Sequence, residues 1–130
     1  MLSIGAINLL VPDYDQAIAY YVGKLGFELL EDTPMGPNKR WVVVSPSGAQ
    51  GCALVLSQAH SEAEKQTVGQ QAAQKVLLFL HSDDFWRDYH RYQAQGVTFL
   101  EAPREEPYAT VVVFQDLFGN RWDLLQKKTV

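Results

Sequence analysis

The chain has 130 residues, a length that fits one domain with a sizeable buried core. A net charge of −4 and a pI of about 5.2 argue against nucleic acid as a partner, because phosphate binding requires a basic surface. No apolar stretch approaches the ~20 residues of a membrane-spanning helix, and the first residues lack a signal-peptide pattern, so no membrane partner is expected. Cys52 is the only cysteine, which excludes an intrachain disulfide and favours a reducing, cytoplasmic location.

The first half of the chain predicts one helix among four strands. Asp13, which follows Pro12, is a suitable cap for a three-turn amphipathic helix that ends before Gly26. Apolar and β-branched residues dominate the flanking segments and favour strands. In chain order the predicted strands are 4–11, 27–31, 41–44 and 52–56, and the first is expected to be buried on both faces.

The second half predicts the same order after a segment of different composition. Residues 57–75 are rich in Gln, Ala, Glu and Lys, which indicates a linker with a short surface helix near 62–72. The elements that follow are strand 76–80, a helix capped by Ser82 or Asp83, strand 97–100, polar loop 103–107, strand 110–114, turn 116–120 and strand 121–125.

The two halves are therefore a repeat. Asp13 and Asp83 are 70 positions apart, and so are Gly26 and Gly96. A duplication in so short a chain predicts two similar half-folds with any site between them. We expect a single α+β domain with module 1 at about 1–58, a linker at about 59–74 and module 2 at about 75–128.

Several motifs of the chain occur together in one superfamily. They are VPDYDQAI (11–18), YY (20–21), KLGF (24–27), PMG (34–36), VSPSG (44–48) and FQDLFGNRWDL (114–124). In these motifs the chain resembles the vicinal oxygen chelate superfamily of glyoxalases, bleomycin resistance proteins and extradiol dioxygenases. The resemblance implies two βαβββ modules that curl into a cup, and a homodimer.

The resemblance also implies where metal-dependent members hold a divalent ion, with His, Glu or Gln from the first and last strands of each module. The matching positions here are Ala6 or its neighbour Asn8, then Leu54 or Leu56, then Leu77, and finally Asp123. His81 shares the strand parity of Leu77 but lies about 13 Å further along, at ~3.3 Å per residue. One carboxylate does not hold a catalytic ion, so no metal and no other cofactor is predicted.

Asp123 is the candidate catalytic residue. Charged side chains in strands are seldom buried without a partner, so Asp123 would be a general base or a hydrogen-bond acceptor in the cup. The alternative is an ion pair with Arg121, two residues away on the same strand face.

Six residues are candidates for ligand binding: Asn8, Arg40, Trp41, Tyr108, Arg121 and Trp122. The Arg40 guanidinium could anchor an anionic group above Trp41 as an apolar floor. The alternative is a surface arginine and a core tryptophan, and Tyr108 and Trp122 have the same two interpretations. Asn8 offers a carbonyl oxygen.

Three functions remain open at this point. The first is a metal-free binder of a small organic molecule, of the glyoxalase and bleomycin-resistance type. The second is a glyoxalase-like lyase with a divalent metal and Asp123 in the cup. The third is a non-catalytic interaction domain in which the acidic surface and the linker matter more than the cup.

Overall fold

The computed structural model describes residues 1–46 and 50–129 and confirms the α+β fold. The chain divides into two units, Met1–Val68 and Gly69–Val130, and the division falls inside the predicted linker. The turn that Pro46-Ser47-Gly48 predict between strands 41–44 and 52–56 reaches into residues 47–49, which lie outside the described residues. In the described part of the chain, every helix is too short or too polar to cross a membrane.

The first unit holds one mixed four-stranded sheet. Its elements are β1 (Ala6–Val11), α1 (Tyr14–Ile18), a π-helical segment (Ala19–Lys24), β2 (Glu28–Pro34), β3 (Arg40–Ser45), β4 (Ala53–Gln58) and α2 (Glu62–Thr67). The strands are ordered β1-β4-β3-β2. β1 runs parallel to β4, and the other pairs are antiparallel. α2 ends five residues before the predicted position.

The helix after Asp13 begins as predicted but changes type. The Asp13 carboxylate accepts a hydrogen bond from the Gln16 amide at 2.8 Å and caps α1. The following turns are π-helical, with the Leu25 amide bonded to the Tyr20 carbonyl at 3.0 Å. Both tyrosines of this segment, Tyr20 and Tyr21, are buried.

The two faces of the first sheet differ in burial. One face packs against α1, and its side chains are all buried: Leu9, Val11, Val42, Val44, Leu54 and Leu56. The opposite face, which we call the open face, carries Asn8, Leu10, Trp41, Val55 and Ser57. The prediction that strand 4–11 is buried on both faces is therefore wrong, because Ala6 and Asn8 are exposed.

The second unit repeats the topology of the first. Its elements are β5 (Val76–His81), α3 (Phe85–Ala94), β6 (Thr98–Phe99), β7 (Arg104–Glu105), β8 (Ala109–Gln115) and β9 (Arg121–Lys127). The strand order β5-β9-β8-β6 matches β1-β4-β3-β2, and β5 is parallel to β9. The short strand β7 lies in the predicted polar loop and pairs with β8.

The helix ends of the two units also correspond. Asp84, one residue after the predicted cap, accepts a hydrogen bond from the Arg87 amide and begins α3. Gly26 and Gly96 follow the two helices with φ angles of 76° and 80°, the left-handed region that favours glycine. The repeat seen in the sequence is thus present in topology, in caps and in helix stops.

Candidate functional site

The open face of the first sheet forms the floor of a cavity. Asn8 is paired with Val55, and Leu10 with Ser57, between β1 and β4. With Trp41 from β3, these side chains line a cavity of about 510 Å³. This size falls in the range of roughly 300–1,000 Å³ that small-molecule sites occupy. We call it the sheet cavity.

Trp41 provides the largest apolar surface of the sheet cavity. The side chain is 41% exposed, so it does not belong to the core. Its indole N–H donates a hydrogen bond of 2.8 Å to the Glu31 carboxylate on the neighbouring strand β2. This bond holds the ring in one orientation, and Met35 and Leu10 add apolar wall beside it. A flat apolar surface fixed by one polar bond suits an organic ring.

A polar pair lies on the floor of the same cavity. The Ser57 hydroxyl donates a hydrogen bond of 2.9 Å to the Asn8 side-chain carbonyl, across the parallel strands β1 and β4. Since the side-chain carbonyl of Asn8 already accepts this bond, the pair is oriented before any ligand arrives. A few placed polar groups among apolar ones are typical of ligand sites.

The segment before α2 forms one wall of the sheet cavity. The Ser61 hydroxyl accepts from the Glu64 amide at 3.1 Å, and the Glu64 carboxylate accepts from the His60 amide at 2.9 Å. This reciprocal arrangement is a capping box and fixes the start of α2. The backbone bond from His60 is the main reason that the pKa of Glu64 lies below its ordinary value. His60 and Glu64 therefore line the cavity as a polar edge.

Arg40 is engaged by carboxylates of its own unit. Its guanidinium donates to both oxygens of Asp32, at 3.0 and 2.7 Å, and to Asp15 at 2.8 Å. It also lies 5.3 Å from the centre of the Tyr14 ring. The hydrogen bonds from Arg40 lower the pKa of Asp32, and the bonds to Asp32 and Asp15 raise the pKa of Arg40.

This geometry bears on the predicted role of Arg40 as an anchor for an anionic group. The guanidinium charge is balanced by two carboxylates, so an anion would have to displace them. Arg40 instead ties β3 to β2 and to α1 and forms a rigid border of the sheet cavity. The predicted neighbour Trp41 keeps its place on the open face, whereas Arg40 belongs to a structural cluster.

Asp123 lies on β9 in the second unit, between Val113 on β8 and Phe79 on β5. Among residues 1–46 and 50–129, its carboxylate makes no hydrogen bond or ion pair, so the predicted alternative of an ion pair with Arg121 is wrong. Burial raises the pKa of Asp123, with Arg104 lowering it and Glu101 raising it. Phe79, its neighbour across the strand pair, is 61% exposed.

The raised pKa gives Asp123 a measurable effect on stability. The folded state holds the pKa of Asp123 above its ordinary value of 3.8, so the ionised carboxylate lowers the stability of the fold at higher pH. This destabilisation disappears below the pKa that the carboxyl has in the unfolded chain. Asp123→Asn is therefore expected to raise the urea midpoint at about pH 7 and to leave it unchanged at about pH 3. Glu62→Gln, on the exposed surface of α2, is the control. A lower midpoint for Asp123→Asn at neutral pH would contradict this interpretation.

The remaining predicted ligand residues lie in different surroundings. Trp122 is 2% exposed, stacks on Phe114 and donates its indole N–H to Asp116, a core placement. Arg121 is exposed and donates to the Gln74 carbonyl at 3.0 Å. Tyr108 is 64% exposed at the end of the β7–β8 turn.

The donor groups do not fit a divalent metal at the positions implied by the superfamily. Within the described ranges, no three His, Cys, Asp or Glu side chains come together as a metal site requires. The predicted positions Leu54 and Leu56 lie on the buried face, so the open-face neighbours on β4 are Val55 and Ser57. Neither side chain offers the nitrogen, thiolate or carboxylate that such an ion prefers. No step through a metal follows from these residues.

Sequence reasoning missed several residues of the sheet cavity: Leu10, Met35, Val55, Ser57, His60 and Glu64. For Val55 and Ser57 a signal was present, because strand parity from Leu54 and Leu56 places them on the other face. His60 and Glu64 were assigned to the linker. The sequence predicted a short helix near 62–72, but no sequence pattern indicates which cavity that helix borders.

Comparisons with known proteins agree with this fold. A family model described as Glyoxalase/Bleomycin resistance protein/Dioxygenase superfamily matches residues 3–124. A protein of Shewanella frigidimarina (strain NCIMB 400) is 53% identical over 95% of this chain and 93% of its own length. The structure of UcmS2 matches with a TM-score of 0.83, 28% identity and coverage of 96% of this chain and 98% of that one.

A second solved structure carries a functional description. TnmS3, an antibiotic binding protein from Streptomyces sp. CB03234, matches with a TM-score of 0.77 and 28% identity over 98% of both chains. The resemblance indicated by the sequence motifs is thus confirmed at the level of family and fold.

Proposed function

The chain belongs to the Glyoxalase/Bleomycin resistance protein/Dioxygenase superfamily, and we propose that it binds a small organic molecule without a metal ion. The observation that carries the proposal is the sheet cavity, with Trp41 in its lining and hydrogen-bonded to Glu31. The antibiotic binding protein TnmS3 supports it as a relative of the same fold.

The chemistry of the cavity favours binding over catalysis. Its floor joins an apolar ring, two aliphatic side chains and one oriented amide–hydroxyl pair. Such a surface holds a planar apolar ligand by contact area and orients it with one or two hydrogen bonds. The lyase alternative requires a metal at positions whose residues are unsuited to it, and the interaction-domain alternative leaves the cavity without a role.

Replacing Trp41 with alanine tests the proposal. The probes are aromatic compounds: 4-methylumbelliferone, quercetin and 8-anilinonaphthalene-1-sulfonate, measured by calorimetry and thermal shift. Trp41→Ala removes the main contact surface and is expected to weaken binding by at least about tenfold. Trp86→Ala, which removes an exposed tryptophan from α3 in the second unit, is expected to leave affinity unchanged.

Two outcomes would contradict the proposal. One is that none of these probes binds the wild-type protein at concentrations up to about 1 mM. The other is that Trp86→Ala weakens binding as much as Trp41→Ala does, since that would place the ligand away from the sheet cavity.

We also propose a homodimer in the cytoplasm. Superfamily resemblance implies the dimer, and the exposed Leu29 and Leu30 on the edge strand β2 supply apolar surface that a second copy could cover. The lone Cys52 supports a reducing compartment. Light scattering coupled to size exclusion is expected to give twice the chain mass of 14.6 kDa. A mass of one chain at micromolar concentration would contradict the dimer.

A further inference from the structure

A second cavity adjoins the sheet cavity in the first unit. It has a volume of about 580 Å³ and lies where α1, the β2–β3 loop and the end of β4 meet. The two cavities share five lining residues, Tyr14, Lys39, Arg40, Gln58 and His60, so they are neighbouring compartments of one depression. We call the second compartment the rim cavity.

The walls of the rim cavity differ in chemistry from those of the sheet cavity. Besides Tyr14 and Arg40, its polar side chains come from three separate segments of the chain and are Asp13, Asn38, Lys39, Gln58 and His60. Asp13 and Asn38 line the rim cavity but not the sheet cavity, and the other three line both. These polar side chains include a carboxylate, two amides, an ammonium and an imidazole. Hydrogen-bond donors and acceptors are therefore both present, whereas the sheet cavity offers mainly apolar surface.

The charges in the rim cavity oppose one another. Arg40 is neutralised by Asp15 and Asp32, and the positive Lys39 lines the same compartment as the negative Asp13. A site for a strong anion requires an excess of cations that are not balanced, which this wall does not provide. An uncharged part of a ligand that both donates and accepts hydrogen bonds fits such a wall.

The bonds that the rim side chains already make leave capacity for such a group. The Gln58 amide nitrogen donates to the Pro12 carbonyl at 3.2 Å. This bond orients the amide, and its side-chain oxygen can still accept a hydrogen bond from a ligand. One Asp13 oxygen accepts the Gln16 amide. Asn38 has a φ of 61°, held in the turn closed by the bond between the Met35 amide and the Lys39 carbonyl. This turn presents Asn38 and Lys39 together at the rim cavity.

From this pairing of compartments we propose that the ligand is a glycoside. The planar aromatic or polycyclic part lies on Trp41 in the sheet cavity, and the neutral sugar lies in the rim cavity. The inference rests on the proposed function, because it assigns the second half of the same ligand. Sugar hydroxyls both donate and accept, so they pair with the amides, the ammonium and the carboxylate at once.

Matched pairs of an aromatic compound with and without its glucose test the proposal. The pairs are 4-methylumbelliferone with its β-glucoside and quercetin with its 3-O-glucoside, each measured by calorimetry on the full chain. We expect each glucoside to bind about tenfold more tightly than its aglycone, the effect of one or two added net hydrogen bonds.

A double variant locates the sugar. Asn38→Gly keeps the backbone conformation that a φ of 61° requires and removes the amide, and Asp13→Ser removes the carboxylate but keeps an oxygen that can cap α1; neither residue lines the sheet cavity. The double variant is expected to lose the preference for the glucosides and to bind the aglycones as the wild type does. Asp84→Ser at the corresponding cap of α3 in the second unit is the matched control and is expected to change neither affinity.

The outcomes separate this proposal from the one on which it rests. If wild-type protein binds neither member of either pair, the binding function itself fails. If it binds the aglycones and the glucosides equally, or if the glucoside preference survives in the double variant, the glycoside assignment is overturned. The proposal that the sheet cavity binds the aromatic part is then unaffected.

Discussion

Replacing Asp116 with alanine is expected to lower the free energy of unfolding by about 3–5 kcal/mol. The side chain is buried at 3% exposure, and its carboxylate accepts four hydrogen bonds of 3.0 Å. The donors are the amides of Phe118 and Asn120, the Asn120 side chain and the Trp122 indole. Alanine leaves these donors without their acceptor, three of them in buried surroundings, where an unpaired donor costs about 1–3 kcal/mol.

Urea unfolding followed by circular dichroism measures the effect. Asp13→Ala removes another carboxylate that caps backbone, but an exposed one that accepts the Gln16 amide, and it is expected to cost only about 1 kcal/mol. Asp116→Asn keeps the shape of the side chain but replaces one acceptor oxygen with a donor. Its loss of unfolding free energy should therefore fall between those of Asp116→Ala and Asp13→Ala. Equal losses for Asp116→Ala and Asp13→Ala would show that the buried network adds no stability.

Gly69→Ala is expected to lower the free energy of unfolding by about 3 kcal/mol or more, because the added methyl group would press on the turn that Asp116 stabilises. A β-carbon at Gly69 would overlap the Phe118 carbonyl oxygen and lie 3.0 Å from its carbon. The φ of 75° adds the penalty that a side chain incurs in the left-handed region. Backbone cannot move aside as a flexible side chain can, so the turn after β8 must shift.

Two other glycines separate the causes. Gly96 has a φ of 80°, and a β-carbon added there would have no heavy atom within 4 Å. Gly96→Ala is therefore expected to show only the backbone penalty, a loss of about 1–2 kcal/mol in unfolding free energy. Gly23→Ala has neither feature and lies in a helical segment, where it is expected to stabilise by up to about 1 kcal/mol. If Gly69→Ala costs no more than Gly96→Ala, the close approach to Phe118 is not a constraint.

The fold was predictable because its signals are local and repeated. The Asp13 cap, the glycine stops and the alternation of apolar segments mark each element independently, and the second half repeats the first. The π-helical segment was not predictable, since the bond from Leu25 to Tyr20 depends on burying two adjacent tyrosines at once. That choice is made by packing against the sheet.

The site was predictable only in part. The position of Trp41 on the open face follows from strand parity, but the ion pairs of Arg40 could not be predicted, because its partner Asp15 lies 25 positions away. Sequence spacing cannot show that α1 and β3 meet there. The positions on β4 that the resemblance implied, Leu54 and Leu56, are buried, and a shift of one residue along a strand exchanges its two faces.

The chain contains three tryptophans, and they offer the most direct test of where the ligand binds. In a nitrogen–proton correlation spectrum, titration with the tightest of the aromatic probes is expected to move the indole signal of Trp41 and the amides of Asn8 and Ser57. The indole signals of Trp86 and Trp122, both in the second unit, should stay in place. Movement of Trp86 or of residues around Asp123 with Trp41 unmoved would contradict a ligand site on the first sheet.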